Sequence, residues 1–342
     1  MCTALTGPQL AAQAQIQAPV LLSGFEKAQR AFEAGDYKTA LAEARLAALG
    51  GNTDAAVMVG YILAHGLSGP ADKVEAASWY RQAAKRGNTD AMVALGRLAL
   101  VEEGGLKLAE ARDWFEQAAK AGRTDAMLAL AEMYRLGKGV RADREKQEHW
   151  LRMAANAGVV EAERRLGDVL VGSKPKRALS WYEKAAAQGD PEAAYRAALM
   201  YVDNLEIKPN SLKAALLLKQ AAEAGLPAAQ ADYGLIVYQG NGVNRDIRAA
   251  AQWFKKAAEG GDPEGQFLYA FTLAKGEGVP RSYEEAYYWL LVSEQTLQAA
   301  GIRDYDRTKM ELKKRLEDNV APEILERARE RARQRSRARA TR

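Results

Sequence analysis

Six tryptophans, at positions 79, 114, 150, 181, 253 and 289, divide the chain at intervals of 35, 36, 31, 72 and 36 residues. An interval near 36 is too short for an independent domain. It suits one helix pair, which can bury its apolar face only against a neighbouring copy of itself. The gap of 72 is two periods, with Leu217 at its midpoint. One period before Trp79 lies Glu43, in a degenerate first copy, so eight units fill the chain. A stacked array also removes the size limit that a single hydrophobic core would impose on 342 residues.

Registering the units on the anchor column Trp79, Trp114, Trp150, Trp181, Leu217, Trp253 and Trp289 exposes the rest of the pattern. A glycine stands eight residues later in seven units, from Gly51 and Gly87 to Gly261, and the last unit has Leu297 instead. A small residue stands twelve after the anchor, as in Ala91, Ala126, Ala162, Ala193 and Gly265, which points to close backbone approach. The glycine reads as a left-handed helix stop. Asn52, Asn88, Asp190 and Asp262 follow it as N-caps of the next helix, and Pro191 and Pro263 sit in that helix's first turn. Gly137-Lys138-Gly139, Gly240-Asn241-Gly242 and Gly276-Glu277-Gly278 then close the helix. The spacing predicts two helices per period, with the anchors as the structural repeat core.

The run Ala76-Ala77-Ser78-Trp79-Tyr80-Arg81-Gln82-Ala83-Ala84-Lys85-Arg86-Gly87 and its copies resemble the Sel-one-like repeat family, a branch of the tetratricopeptide superfamily, over residues 36–300. The resemblance implies an all-α fold: a right-handed α–α solenoid superhelix of about eight helix-turn-helix repeats with a C-terminal capping helix. It also implies a bacterial, non-catalytic scaffold, adaptor or regulator that needs no cofactor and binds a protein or peptide on its concave face. By the superfamily's helix register that face carries Val57 and Tyr61, Val93 and Arg97, Leu128 and Glu132, Arg164 and Asp168, Tyr195 and Leu199, Leu235 and Tyr238, then Phe267 and Phe271. Its middle is charged, through Arg97, Glu132, Arg164 and Asp168. Its C-terminal half is aromatic, through Tyr195, Tyr238, Phe267 and Phe271, which suits an apolar segment of a partner. Packing between neighbouring repeats is the competing reading of each of these residues.

Catalytic chemistry finds little to work with. Two histidines, His65 and His149, lie more than two repeats apart, and the one cysteine is Cys2. That leaves no metal pair, no nucleophile with its base and no disulfide framework. The Gly-x-Gly turns lack the third glycine of a dinucleotide fingerprint, and no phosphate loop occurs. The net charge of +5 resides in residues 323–342, which hold eight Arg against three Glu. The repeats are therefore balanced, which argues against a helical-repeat RNA-binding protein, the alternative to a protein scaffold. Contact of the Arg-rich tail with an anionic surface is a second alternative.

The organisation expected is a flexible N-terminus over 1–24, the repeat solenoid over 25–300, capping helices over 301–328 and an Arg-rich tail, disordered or a frayed helix, over 329–342. Ala12-Gln13-Ala14 has the small-x-small form of a signal-peptidase site without a basic start, so 1–24 reads either as a truncated signal peptide or as a frayed terminus. The first reading makes the protein periplasmic or secreted and the second cytoplasmic. No apolar run approaches the roughly 20 residues of a transmembrane helix.

Overall fold

The computed structural model describes residues 24–203, 206–303 and 306–340, and the segment read as a signal peptide lies outside them. Among the described residues there are 18 helices and no strand. They fall into two compact units that meet in sequence at Ala142 and Asp143. The first unit holds α1 (Gly24–Glu33), α2 (Tyr37–Leu49), α3 (Thr53–His65), α4 (Lys73–Lys85), α5 (Thr89–Leu100), α6 (Leu108–Lys120) and α7 (Thr124–Leu136). The second holds α8 (Arg144–Asn156), α9 (Val160–Leu170), α10 (Pro175–Ala187), α11 (Pro191–Asp203), α12 (Ser211–Glu223), α13 (Pro227–Gln239), α14 (Ile247–Gly260), α15 (Pro263–Lys275), α16 (Tyr283–Ala299), α17 (Arg307–Asn319) and α18 (Pro322–Ala340). Within each unit consecutive helices pack in sequence order as far as α17, the arrangement expected of an all-α repeat array, and α18 packs back on α16.

The helix boundaries follow from the repeat's punctuation. Asn52, Asn88 and Asp262 accept hydrogen bonds from the backbone N–H three residues on, at 2.8, 3.0 and 2.6 Å. Each bond satisfies one of the amides that a helix start leaves without an intrahelical partner. At the other end Gly87 donates to the Ala84 carbonyl and Asn88 to that of Ala83, closing α4 in a Schellman turn. Where Leu297 replaces the stop glycine, the helix does not stop. α16 runs for 17 residues, against 13 in α10 and α12.

Packing corrects the reading of the anchors as the centre of the repeat core. Trp79, Trp114, Trp150, Trp181, Leu217 and Trp253 are only half-buried, and among the anchors Trp289 alone is buried. The deepest residue is the next one: Tyr80, Phe115, Leu151, Tyr182, Leu218, Phe254 and Leu290 are all buried. Four of these rings lie against a glycine of the preceding helix. A β-carbon added at Gly60, Gly96, Gly167 or Gly234 would stand 2.6, 2.7, 2.5 or 2.8 Å from the ring of Tyr80, Phe115, Tyr182 or Phe254. Where the buried residue is Leu218 or Leu290, the same register holds Ala198 or Ala270. Ring volume and β-carbon are thus exchanged as a pair, which keeps the interior filled without overlap. The indoles instead lean outward. Trp79 Nε1 donates to Glu75 at 3.0 Å, and Glu75 pairs with Arg45 of α2 at 2.7 Å, tying the second helices of adjacent repeats together.

The Gly-x-Gly turns set the spacing of repeats. Gly139, Gly242 and Gly278, all at positive φ, lie against the carbonyl of the first residue of a preceding second helix: Leu108, Ser211 and Ile247, each 31 residues earlier. A β-carbon at Gly242 would meet the Ser211 oxygen at 2.5 Å, so this position excludes side chains twice over, by φ and by contact.

The C-terminal segment departs from the expected short cap followed by a disordered or frayed tail. α18 continues to Ala340 and lies along α16. The guanidiniums of Arg329, Arg331 and Arg335 stand 5.4, 4.5 and 5.4 Å from the ring centroids of Tyr287, Tyr288 and Trp289. Arg327 and Arg331 also reach Glu284 and Glu285 at 2.9 and 2.5 Å. These rings are large apolar surface at the end of the array, and α18 covers them.

Candidate partner-binding surface

The repeat punctuation places α9, α11, α13 and α15 as the first helices of the pairs in the second unit, and α13 packs directly on α15. Two tyrosines link these helices. Tyr195 of α11 donates its hydroxyl proton to Asp232 of α13 at 2.9 Å, and Tyr238 of α13 donates to Glu277, beyond α15, at 2.6 Å. Burial, then the Asp232 charge, pushes the Tyr195 phenol upward. Burial also raises Asp232, against the lowering effect of the Tyr195 bond. The Tyr238 phenol is raised first by its bond to Glu277. Both phenols therefore remain protonated donors at neutral pH. Tyr195 and Tyr238 are half-buried ties between repeats, and the Tyr238 ring contributes a wall to the surface described next.

One register position runs along this face with the period of the repeat: Leu199 on α11, Leu235 on α13 and Phe271 on α15, 36 residues apart. Each gap between first helices opens a cleft at this column. Leu199, Val202, Asp232 and Leu235 line a cleft of about 280 Å³ between α11 and α13. Leu235, Tyr238, Phe254 and Phe271 line one of about 210 Å³ between α13 and α15. Phe271, Lys275, Arg281, Leu312 and Arg315 line a third, of about 560 Å³, between α15 and α17. Leu235 is a wall of the first two clefts and Phe271 of the last two, so the three form one trench whose floor is largely apolar. Leu199 and Val202 are 41% and 55% exposed, more than a side chain needed only for packing would be.

Two expected face residues are largely buried. Phe267 is 6% exposed and packs in the core around Tyr287 and Trp289 while also lining the α13–α15 cleft, and Val93 is 4% exposed on α5. Both lie four residues before the exposed column, which turns them under the neighbouring helix. The charged middle is largely committed to internal pairs. Arg164 donates to Asp190 at 3.1 Å, and Asp168 accepts from Tyr182 at 2.8 Å and pairs with Arg196 at 3.4 Å. In the first unit Glu132 is paired with Arg135 at 2.5 Å. Arg97 is exposed, 3.5 Å from Asp125, and lines a separate cleft of about 390 Å³ with Tyr61 and His65. His65 Nδ1 is 2.9 Å from the Tyr61 carbonyl oxygen. Among the described residues no three His, Cys, Asp or Glu side chains gather as a metal-holding group, and no helix is long and apolar enough to cross a membrane.

Sequence reasoning missed Val202, Arg281, Leu312 and Arg315. Arg281 lies in a loop and Leu312 and Arg315 in α17, outside the repeat register on which the reading rested. The signal for α17 was its apolar pair Leu312 and Leu316, four residues apart.

The Sel1 repeat model matches seven consecutive segments of the chain: 53–88, 89–122, 124–159, 160–190, 191–226, 227–262 and 263–291. The chain is a Sel1 repeat protein. Its segment boundaries coincide with the N-cap positions, so the family's unit is the first helix, the Gly-x-Gly turn and the second helix. This Sel1 repeat protein is similar to the crystal structure of a Sel1 repeat protein from Oxalobacter formigenes, with 27% identity, a TM-score of 0.67 and 86% of each chain covered. It is also 28% identical over 113 residues to an uncharacterized protein of Neisseria meningitidis serogroup B. That match covers 33% of this chain and 24% of the Neisseria protein, so the chain matches about a quarter of that relative's length. Sel1 repeats generally serve as protein–protein interaction scaffolds.

Proposed function

We propose that the protein is a non-catalytic scaffold that holds an apolar segment of a partner protein in the trench along the first helices of its second unit. The observation that carries this reading is the 36-residue column Leu199, Leu235 and Phe271, which links three clefts through shared walls. Apolar side chains of a partner entering these clefts would leave water on both sides, the usual source of interface affinity. The column's counterparts in the earlier repeats, Tyr61, Arg97, Glu132 and Asp168, are mostly charged, so the apolar stretch of the column begins only at α11. A surface reading RNA would instead need cations along the face, where Glu132, Asp168 and Asp232 stand.

The test is affinity capture from source-cell lysate, comparing the unaltered protein with a Leu199→Asp, Leu235→Asp variant of matching melting temperature. A protein retained by the first and lost by the second is expected. Retention of the same proteins by both would contradict the trench.

A further inference from the structure

The trench is electrically graded along its length. Its α11–α13 end carries a carboxylate, Asp232, and its middle cleft is apolar. The α15–α17 end is cationic, with Lys275, Arg281 and Arg315 around a floor made by Phe271, Leu312 and Leu316. The carboxylate that lines this end, Glu277, is already engaged by the Tyr238 hydroxyl at 2.6 Å and by Lys275 at 3.5 Å. Arg281 donates one side-chain hydrogen bond, from Nη2 to the Lys275 carbonyl at 3.1 Å, and among the described residues no carboxylate forms an ion pair with it or with Arg315. Arg307, Arg327, Arg329 and Arg331 each reach a glutamate, whereas Arg245, one period before Arg281, likewise bonds a helix-end carbonyl, that of Tyr238 at 3.0 Å. Two guanidiniums facing one apolar cleft without a counter-ion match a ligand that brings its own.

We propose that the partner segment is acidic at one end: apolar side chains occupy the first two clefts, and an Asp or Glu side chain pairs with Arg281 and Arg315 in the third. This rests on the trench reading above and adds the chemistry of the occupant. Guanidinium suits the role because it is weakly hydrated and presents a planar pair of donors to a carboxylate. Apolar walls strengthen the pair by displacing water around it. Asp232 repels the same charge at the opposite end, so the segment binds in one direction only. Neighbouring helix axes lie roughly 8 to 10 Å apart, and a segment in the polyproline II conformation rises about 3.1 Å per residue with three residues per turn, so every third side chain shares a face. Side chains filling successive clefts are therefore about three residues apart, giving two apolar residues and then an acid at that spacing.

The test is selection of a phage-displayed random-peptide library on the purified full-length protein, on an Arg281→Gln, Arg315→Gln variant and on a Leu199→Asp, Leu235→Asp variant. All three are first matched by thermal unfolding. Expected on the unaltered protein are peptides combining spaced apolar residues with an Asp or Glu. The arginine variant is expected to keep the apolar preference and lose the acidic one. A synthetic copy of the leading peptide should bind about tenfold more weakly when its acid is replaced by the matching amide, and only the acidic form should weaken with added salt. Apolar peptides without acid on the unaltered protein would overturn the proposal and leave the trench standing. The same peptides on the unaltered protein and the leucine variant would overturn both.

Discussion

Gly234 and Phe254 illustrate how this fold is specified one contact at a time. A β-carbon on Gly234 would stand 2.8 Å from the Phe254 ring, so Gly234→Ala alone overpacks the interior and is expected to cost about 1 to 3 kcal/mol. Phe254→Leu alone leaves a space and costs on a similar scale. Together they recreate the Ala198 with Leu218 and Ala270 with Leu290 combinations that the chain already contains, so the double variant should be more stable than the sum of the single losses implies. Urea unfolding of the four proteins measures the coupling, and strict additivity would show that the two positions do not share a space. The anchor column is legible in sequence because tryptophan is rare and its spacing regular. Its depth is not, since Trp-Tyr and Trp-Phe pairs offer two aromatic neighbours about 100° apart on a helix and only packing shows which one points inward. The same limit applies to Phe267 and Phe271, one helical turn apart: both line the middle cleft, and only packing shows that Phe267 is the buried one.

Helices begin and end here where single residues tell them to, which is why the element order could be read almost complete. Asx caps, first-turn prolines and stop glycines are local signals, and the replacement of one stop glycine by Leu297 accounts for the longer α16. What escaped was the second half of α18, beyond residue 328. Its arginines are spread around the helix, so nothing periodic marks a docking face, and the partners on α16 lie more than 40 residues earlier in the chain. Once docked, Arg331 and Arg335 cover Tyr288 and Trp289, and cation–ring contacts of this partly exposed kind contribute about 0.5 to 2 kcal/mol each. An Arg331→Ala, Arg335→Ala variant is therefore expected to show faster amide hydrogen exchange throughout α18, with α11 unchanged. Unaltered exchange in α18 would mean that its buried Leu325, Ala328 and Ala332, with Arg327 and Arg329, suffice to hold the helix.

For the molecule as a whole, the repeat makes stability and function separable. Positions that recur from unit to unit serve packing: the stop glycine and the alanine pair four and five residues after the anchor, each in seven units, and the buried residue after the anchor. Positions that vary at a fixed register are free to carry recognition. That division was visible from the 36-residue period, and so were Leu199, Leu235 and Phe271 as members of one face. Their joining into a trench was not, because it depends on α17, which follows no repeat register, and on how far each side chain stands clear of its neighbours. The direct measurement is site-specific photo-crosslinking in source cells, with benzoylphenylalanine replacing Leu199, Leu235 or Phe271 in the trench, or Leu212 or Leu216 on the second-helix surface of α12, where both are 60% exposed. The account predicts adducts to the same partner from the three trench positions and none from α12. Adducts from α12 with none from the trench would contradict it.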